Sequence, residues 1–322
     1  MTNDQLGVMI VSWNVRDLLA RCLETLFADL DAASIDARVI VVDNASIDGS
    51  PAMVRTRFPR VELIVSEANL GFAGGNNVGL RTLGLPHPLA PSSDGETDVI
   101  RGGAWVGEAV LLLNPDTEVQ PGAIKTMLAV MQSRPDVAVV TSRLVYGDGA
   151  FQHSAFHFPG LAQLYIDLFP VPARLYESRL NGRYPRSMYD AGQLFEIDHP
   201  LGAVMLLRTE AIQQVGLFDE QFALYCEEID WCARFKEAGW KLVCVPAAQV
   251  IHHAGKSTSQ VRIESFVKLW TARYRLHTKH PHFAPLRLAR WIVTFGMKRR
   301  MSGASDAMRA ACQQIIDIWH GK

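Results

Sequence analysis

Three groups of residues in this 322-residue chain have the types and settings for chemistry. The first is Asp116, which follows a continuous apolar run, Val110 to Leu113, broken by Asn114 and Pro115. The second is the acidic set Glu227, Glu228 and Asp230, and the third is His252 with His253. One carboxylate and one imidazole, completed by diphosphate oxygens, would suit Mg²⁺ or Mn²⁺. Each group also has a plain structural reading: aspartates at strand exits form turns, acids at a helix start complement its dipole, and histidines after a strand are often only solvated or capped. Upstream, Asp43 ends a second apolar run and could accept hydrogen bonds from a base or ribose edge, or close an Asx turn with Ser46. The loop Gly71-Phe-Ala-Gly-Gly-Asn-Asn77 would let backbone approach a ligand, or serve only to start a helix.

These residues need strand ends to hold them, and the chain supplies strands at a regular spacing. Val8–Trp13, Arg38–Asp43 and Val61–Val65 read as buried strands, and helices are expected from Val15 to about Ala28 and from Pro51. A further helix follows the Gly/Asn-rich loop and runs to about Leu83. This alternation predicts a parallel sheet with right-handed crossovers. Pro115 cannot donate to a ladder, so Asp116 falls at the carboxyl end of its strand, the end where open α/β sheets bind ligands. Residues 84 to 105 are rich in breakers and read as an inserted surface loop. A helix beginning at Pro121, a strand at Val137–Ser142, and an irregular, aromatic-rich excursion over 146 to 197 come next. The excursion either covers the sheet or contributes to an acceptor site. A strand over Pro200–Arg208, a helix over Thr209–Val215, an acid-first helix after Tyr225 and a last strand at Lys241–Val245 complete an α/β unit ending near residue 260. A basic helical extension occupies 261–322.

Composition narrows the function. The chain is 48% hydrophobic and 20% charged with a net charge of −1, an ordinary globular balance that gives no support for nucleic acid as the main partner. Five cysteines without a CxxC pair indicate neither zinc nor a disulfide framework, and a reducing cytoplasm is expected. The N-terminal residues lack the pattern of a signal peptide, and no apolar run reaches the roughly 20 residues of a spanning helix.

Taken together, the motifs resemble the glycosyltransferase family 2 pattern, a GT-A fold that binds nucleotide sugars. The matching pieces are Val11-Ser-Trp-Asn14, Val42-Asp-Asn-Ala-Ser-Ile-Asp-Gly-Ser50, Asn69-Leu-Gly-Phe-Ala-Gly-Gly-Asn-Asn77, Leu113-Asn-Pro-Asp-Thr117, Gly216-Leu-Phe-Asp-Glu220, Tyr225-Cys-Glu-Glu-Ile-Asp230 and Val250-Ile-His-His253. They stand in the family's order, and the third and fourth look most like its rhamnosyltransferase-like branch. The resemblance implies an inverting transfer of a sugar, rhamnose among the candidates, from a UDP- or dTDP-type donor to a hydroxyl of a saccharide or lipid-linked acceptor. It implies a divalent metal, Mn²⁺ or Mg²⁺, held by Asp116 and His252. Ser12, Asn14 and Asp43 would meet the base, and Asn69, Gly74, Asn77 and Asn114 would lie on the donor side with Asp116. Glu228 would be the general base, with Glu227, Asp230 and Trp231 on the acceptor side. Two departures stand out: Asn114 replaces the first acid of the family's DxD motif, and Glu228 replaces an aspartate.

A dinucleotide dehydrogenase or a nucleotidyltransferase would want a Gly-rich turn after the first strand, where this chain reads Ser12-Trp-Asn-Val-Arg-Asp17. The non-enzyme alternative is a nucleotide-sugar-binding protein that keeps the fold without turnover. In the extension, Leu286–Arg300 mixes apolar and basic residues, which suits either a helix packed on the sheet domain or one lying at the inner face of the cell membrane. A helical tail also offers a surface for an oligomer.

Overall fold

The structure, a computed structural model, describes residues 6–85, 107–222, 224–254 and 262–322. Its first half alternates strands and helices: β1 (Leu6–Ser12), α1 (Arg16–Ala33), β2 (Ala37–Asp43), α2 (Ser50–Arg57), β3 (Val61–Val65), α3 (Gly71–Thr82), β4 (Ala109–Leu113), β5 (Thr117–Val119), α4 (Ala123–Ser133) and β6 (Val137–Val145). The excursion holds β7 (Phe151–Gln152), β8 (Ala155–Phe156), α5 (Leu161–Leu168), α6 (Ala173–Tyr176), a single 3₁₀ turn, α7 (Arg186–Asp190), β9 (Phe195–Glu196) and β10 (His199–Pro200). Then come β11 (Val204–Arg208), α8 (Thr209–Val215), α9 (Glu227–Glu237), β12 (Lys241–His252), α10 (Arg262–Lys279), α11 (Leu286–Met301) and α12 (Asp306–His320). The expected loop insertion falls almost wholly outside the described residues.

The sheet runs β3-β2-β1-β4-β11-β6-β12-β5 and is mostly parallel, with β11 antiparallel to both β4 and β6. Its central strands are apolar throughout because both faces are covered. Along β4, Ala109, Leu111 and Leu113 pack on one side with α1 and α4, while Val110 and Leu112 pack on the other with α3, α8 and α9. That two-residue alternation between two cores is why a continuous apolar run was needed.

Two differences from the sequence expectations shape the site. The Gly/Asn-rich stretch from Gly71 is not a loop but the first turns of α3. Small residues there let the helix lie close on β1: a methyl at Gly75 would sit 2.7 Å from Val11 Cγ1, and one at Gly79 would collide with Met9. The last strand does not stop at Val245. It bulges between Val245 and Gln249, accommodating Pro246, and runs on to His252 beside the short, unanticipated β5.

The helical extension is not a separate tail. Helices α10 to α12 enclose α5 of the excursion in one small core built on Leu164, Leu168, Trp270, Val293, Ile315 and Trp319. Trp319 donates its indole N–H to the Trp270 carbonyl at 3.0 Å. Among the described residues no helix is long and apolar enough to cross a membrane.

Candidate active site

Parallel strands β1 and β2 end in register, Ser12 beside Asp43, and the chain beyond each is stitched to the other. The Asn14 amide donates to Ser46 Oγ, Asn14 Oδ1 accepts from the Ile47 amide, and Arg16 N–H donates to Asp48. Asp43 closes the Asx turn, its Oδ2 accepting from the Ser46 amide at 2.9 Å. Its other oxygen is buried without a partner, as are Ser12 Oγ and Asn44 Oδ1. Three unpartnered polar atoms on neighbouring strand ends are costly unless a ligand satisfies them.

At the end of β4 the chain turns through Asn114 into β5, whose antiparallel pairing sets His252 opposite Thr117. That register brings His252 Nε2 to 3.4 Å from Asp116 Oδ1, both residues buried. Gln152 Oε1 accepts from His252 Nδ1–H at 3.3 Å, which orients the ring with Nε2 toward the carboxylate. Two electron-pair donors aimed at one point fit a shared divalent cation, with the remaining positions open to other oxygens. His253 is drawn elsewhere, to Glu118 Oε1 at 2.7 Å. A second gathering of ligand-type atoms, Glu237, His280 and His282, lies apart from these strand ends, and His280 commits both ring nitrogens to Asp230 and Glu237.

Glu227 and Glu228 begin α9 after two consecutive non-glycine residues with positive φ, Tyr225 at 73° and Cys226 at 66°. Backbone held in that region costs energy and is retained where it aims something. Glu228 packs against Gly202, its Cγ 3.6 Å from where a Cβ there would stand, and the neighbouring Ala203 carbonyl accepts from the Asn114 amide. The acid therefore borders the end of β4. Burial pushes the Glu228 carboxyl up to about 7. Glu227 is raised well above the carboxylate range, by burial first and then by the charge of Glu228, and its Oε2 has no partner.

Glu228 opens onto a cavity of about 270 Å³ between α5, α9 and α10. Gln163, Arg273 and His277 line it, and Gln163 Oε1, Arg273 Nη1 and both His277 nitrogens are buried without partners. Burial pushes His277 down to about 4, so its ring is neutral. None of these three was singled out from the sequence. They come from the excursion and the extension, and only the shared core of α5 with α10 brings them to Glu228.

Five expected site residues have other work. Asp230 and Trp231 do not face an acceptor: both are fully buried. Asp230 is clasped by Arg234, Lys279 and His280, while Trp231 donates to the Gly216 carbonyl at 2.7 Å and packs on Phe218. Asn77 is also fully buried and exchanges hydrogen bonds with the Phe218 backbone in both directions. The Gly216–Glu220 turn is thus pinned by α3 on one side and α9 on the other. Asn69 is exposed and caps its own turn, accepting from the Gly71 amide. Gly74 lies on α3, where a Cβ would stand 3.1 Å from Leu70 Cβ.

With this geometry in place, similarity to known proteins can be read on it. Residues 4–294 match the model of the family described as "Glycosyltransferase like family 2". The N-acetylglucosaminyl-diphospho-decaprenol L-rhamnosyltransferase of Mycobacterium tuberculosis is 30% identical over 80% of this chain and 78% of its own. Rhamnosyltransferase WbbL of Escherichia coli K12 is 24% identical over 77% of this chain and 83% of its own. Among solved structures, the mannosyltransferase PcManGT of Pyrobaculum calidifontis, in complex with GDP-Man and Mn²⁺, superposes with a TM-score of 0.55 at 15% identity, covering 95% of this chain and 77% of that one. GalNAc-T7 with UDP, GalNAc and Mn²⁺ gives 0.53 at 14% identity, over 78% and 44%. Those two likenesses bear on the fold, which is GT-A. The binding-only alternative gives way to an enzyme that uses a nucleotide sugar and inverts the centre it attacks. The chain belongs to glycosyltransferase family 2.

Proposed function

We propose that this enzyme transfers rhamnose from a dTDP- or UDP-linked donor to a hydroxyl of a lipid-linked saccharide, with a divalent metal at Asp116 and His252. The observation that carries the reading is Glu228, a carboxyl raised to about 7 that borders both the end of β4 and the cavity beside it. The sugar is suggested by the two rhamnosyltransferases among the relatives. The acceptor class is suggested by the name of the first, which works on a diphospho-decaprenol-linked saccharide.

In this reading the base and ribose satisfy the buried oxygens of Ser12, Asp43 and Asn44, with Asn14 holding the turn that walls them. Asn114 and Asp116 meet the diphosphate side. A metal held by Asp116 and His252 would neutralise charge on the leaving diphosphate. The acceptor hydroxyl attacks the anomeric carbon and gives its proton to Glu228. The bond from that carbon to the phosphate oxygen breaks with its electron pair, and displacement from the opposite face inverts the centre. Glu227, raised well above the carboxylate range by burial and by the charge of Glu228, stands beside the base.

Thermal unfolding with UDP, dTDP, GDP and NAD⁺, each with Mn²⁺, Mg²⁺ or chelator, tests the donor assignment. Selective binding raises the midpoint by mass action. A metal-dependent rise with dTDP or UDP is expected; a flat response to every nucleoside diphosphate overturns the donor site.

A further inference from the structure

The packing of α5 on α11 makes a surface that the transfer chemistry does not use. Helix α11 buries Ala289, Val293, Gly296 and Met297. Gly296 permits close contact with α5, since a Cβ there would lie 2.7 Å from Leu168 Cβ. The opposite face of α11 carries Leu288, Trp291 and Phe295, which are 53%, 67% and 54% exposed. Their spacing of three and four residues aligns them in one stripe. The stripe continues onto α5 through ring stacking: Trp291 on Phe295 with centroids 5.9 Å apart, Phe295 on Phe169 at 5.7 Å, and Phe169 on Tyr165 at 4.6 Å. A contiguous exposed aromatic stripe rimmed by polar residues marks an interaction surface.

The charges around the stripe say what that is. Helix α11 has not one acid and sets Arg287, Lys298 and Arg299 beside the stripe, while Arg290 and Arg300 lie over the Tyr274 and Phe266 rings of α10. The acid of α5, Asp167, is paired with Arg273 at 2.6 Å. Aromatics on one helix face with cations at its flanks are the pattern of a helix lying in the headgroup region of a bilayer, where tryptophan and arginine both find suitable partners. We infer that the α5–α11 face docks on an anionic phospholipid surface. Helix α5 also supplies Gln163 and Leu164 to the wall of the Glu228 cavity. A saccharide carried on a membrane lipid then reaches the acid along α5 without leaving the bilayer surface. The docking itself stands apart from the donor and acceptor assignments above.

The test is co-sedimentation of the full chain with phosphatidylcholine vesicles, with and without phosphatidylglycerol. Binding is expected with phosphatidylglycerol and weaker without it. The double substitution Trp291→Ser/Phe295→Ser, and separately Lys298→Glu/Arg299→Glu, should each weaken it by roughly tenfold or more. These exposed changes should leave the melting temperature and the nucleoside-diphosphate thermal shift as they were. That keeps failure of docking distinct from failure of the donor reading. No binding to anionic vesicles, or binding that neither variant alters, overturns the inference. So does light scattering that finds a dimer which Trp291→Ser/Phe295→Ser dissolves, because a second copy would then be what covers the stripe.

Discussion

His252 Nε2 faces Asp116 Oδ1 at 3.4 Å across the antiparallel pair of β5 and the end of β12. Neither residue alone could hold a metal, and the pairing register alone brings them together. Gln152 fixes the ring from behind. Asp116→Asn or His252→Ala should therefore remove the metal-dependent part of the nucleoside-diphosphate thermal shift. Gln152→Ala should weaken metal affinity by about 10–100-fold, as loss of an orienting partner typically does. Calorimetric titration of Mn²⁺ in the presence of the preferred diphosphate measures both. Unchanged Mn²⁺ affinity in Asp116→Asn would move the metal elsewhere.

Close approach of α3 to β1 is a second dependence. Gly75→Ala would press a methyl against Val11 and against Asn44, whose amide holds the Gly71 carbonyl. The stiff valine cannot swing away cheaply, so overpacking of about 1–3 kcal/mol is expected. Denaturant unfolding would show it as a lower midpoint with the same slope. Because Asn44 Oδ1 is one of the buried atoms proposed to meet the nucleotide, diphosphate affinity should fall as well. Full stability in Gly75→Ala would mean that the helix can lift off without cost.

Asp230 behaves in the structure as an anchor. It is fully buried with three cationic or imidazole partners, two of them from the end of α10. Asp230→Ala leaves those groups without their acid and should cost about 3–5 kcal/mol. The variant that still folds at low temperature should keep its KM for acceptor. A selective rise in that KM with normal stability would restore Asp230 to the acceptor side.

Sequence alone carried the sheet and its polar strand ends, because buried parallel strands announce themselves as apolar runs and break where polar residues begin. Asp43 and Asp116 were legible as strand exits for that reason, whereas Ser12, and His252 rather than His253, were named through the family's motifs. What could not be read was which polar residue turns inward. Asp230, Trp231 and Asn77 sit in motifs as conspicuous as Glu228, yet helix phase sends the first two into the core, and Asn77 is consumed by the Phe218 backbone. The cavity wall was hidden for a different reason. Gln163, Arg273 and His277 lie far apart along the chain, and only a tertiary contact between α5 and α10 gives them a common address. The continuation of β12 past Pro246 was also masked, since the bulge that tolerates proline leaves no mark in composition.

Glu228 yields the sharpest expectation, because its activity and its stability should move in opposite directions. A base must be ionised to take a proton, so the transfer rate should rise with pH through about 7 and level off above it. Folding responds the other way. The carboxyl is raised from its ordinary 4.5, so the folded chain holds a proton that the unfolded chain has released. Stability contributed by this group is full below about 4.5 and is lost as pH climbs through about 7. Glu228→Gln removes the titration. It should lower the transfer rate by roughly 10²–10⁴-fold, and it should melt higher than the parent chain above pH 7 while matching it in acid. Thermal melts of both chains from acid to alkaline pH, beside initial rates on the parent, measure the two profiles. A Gln variant with normal turnover would remove Glu228 from the chemistry. One that is inactive but no more stable in alkali would show that burial at the start of α9 does not strain the ionised acid. The crossed outcome, slower and more stable, is what a carboxylate held above its ordinary range at the start of α9 should give.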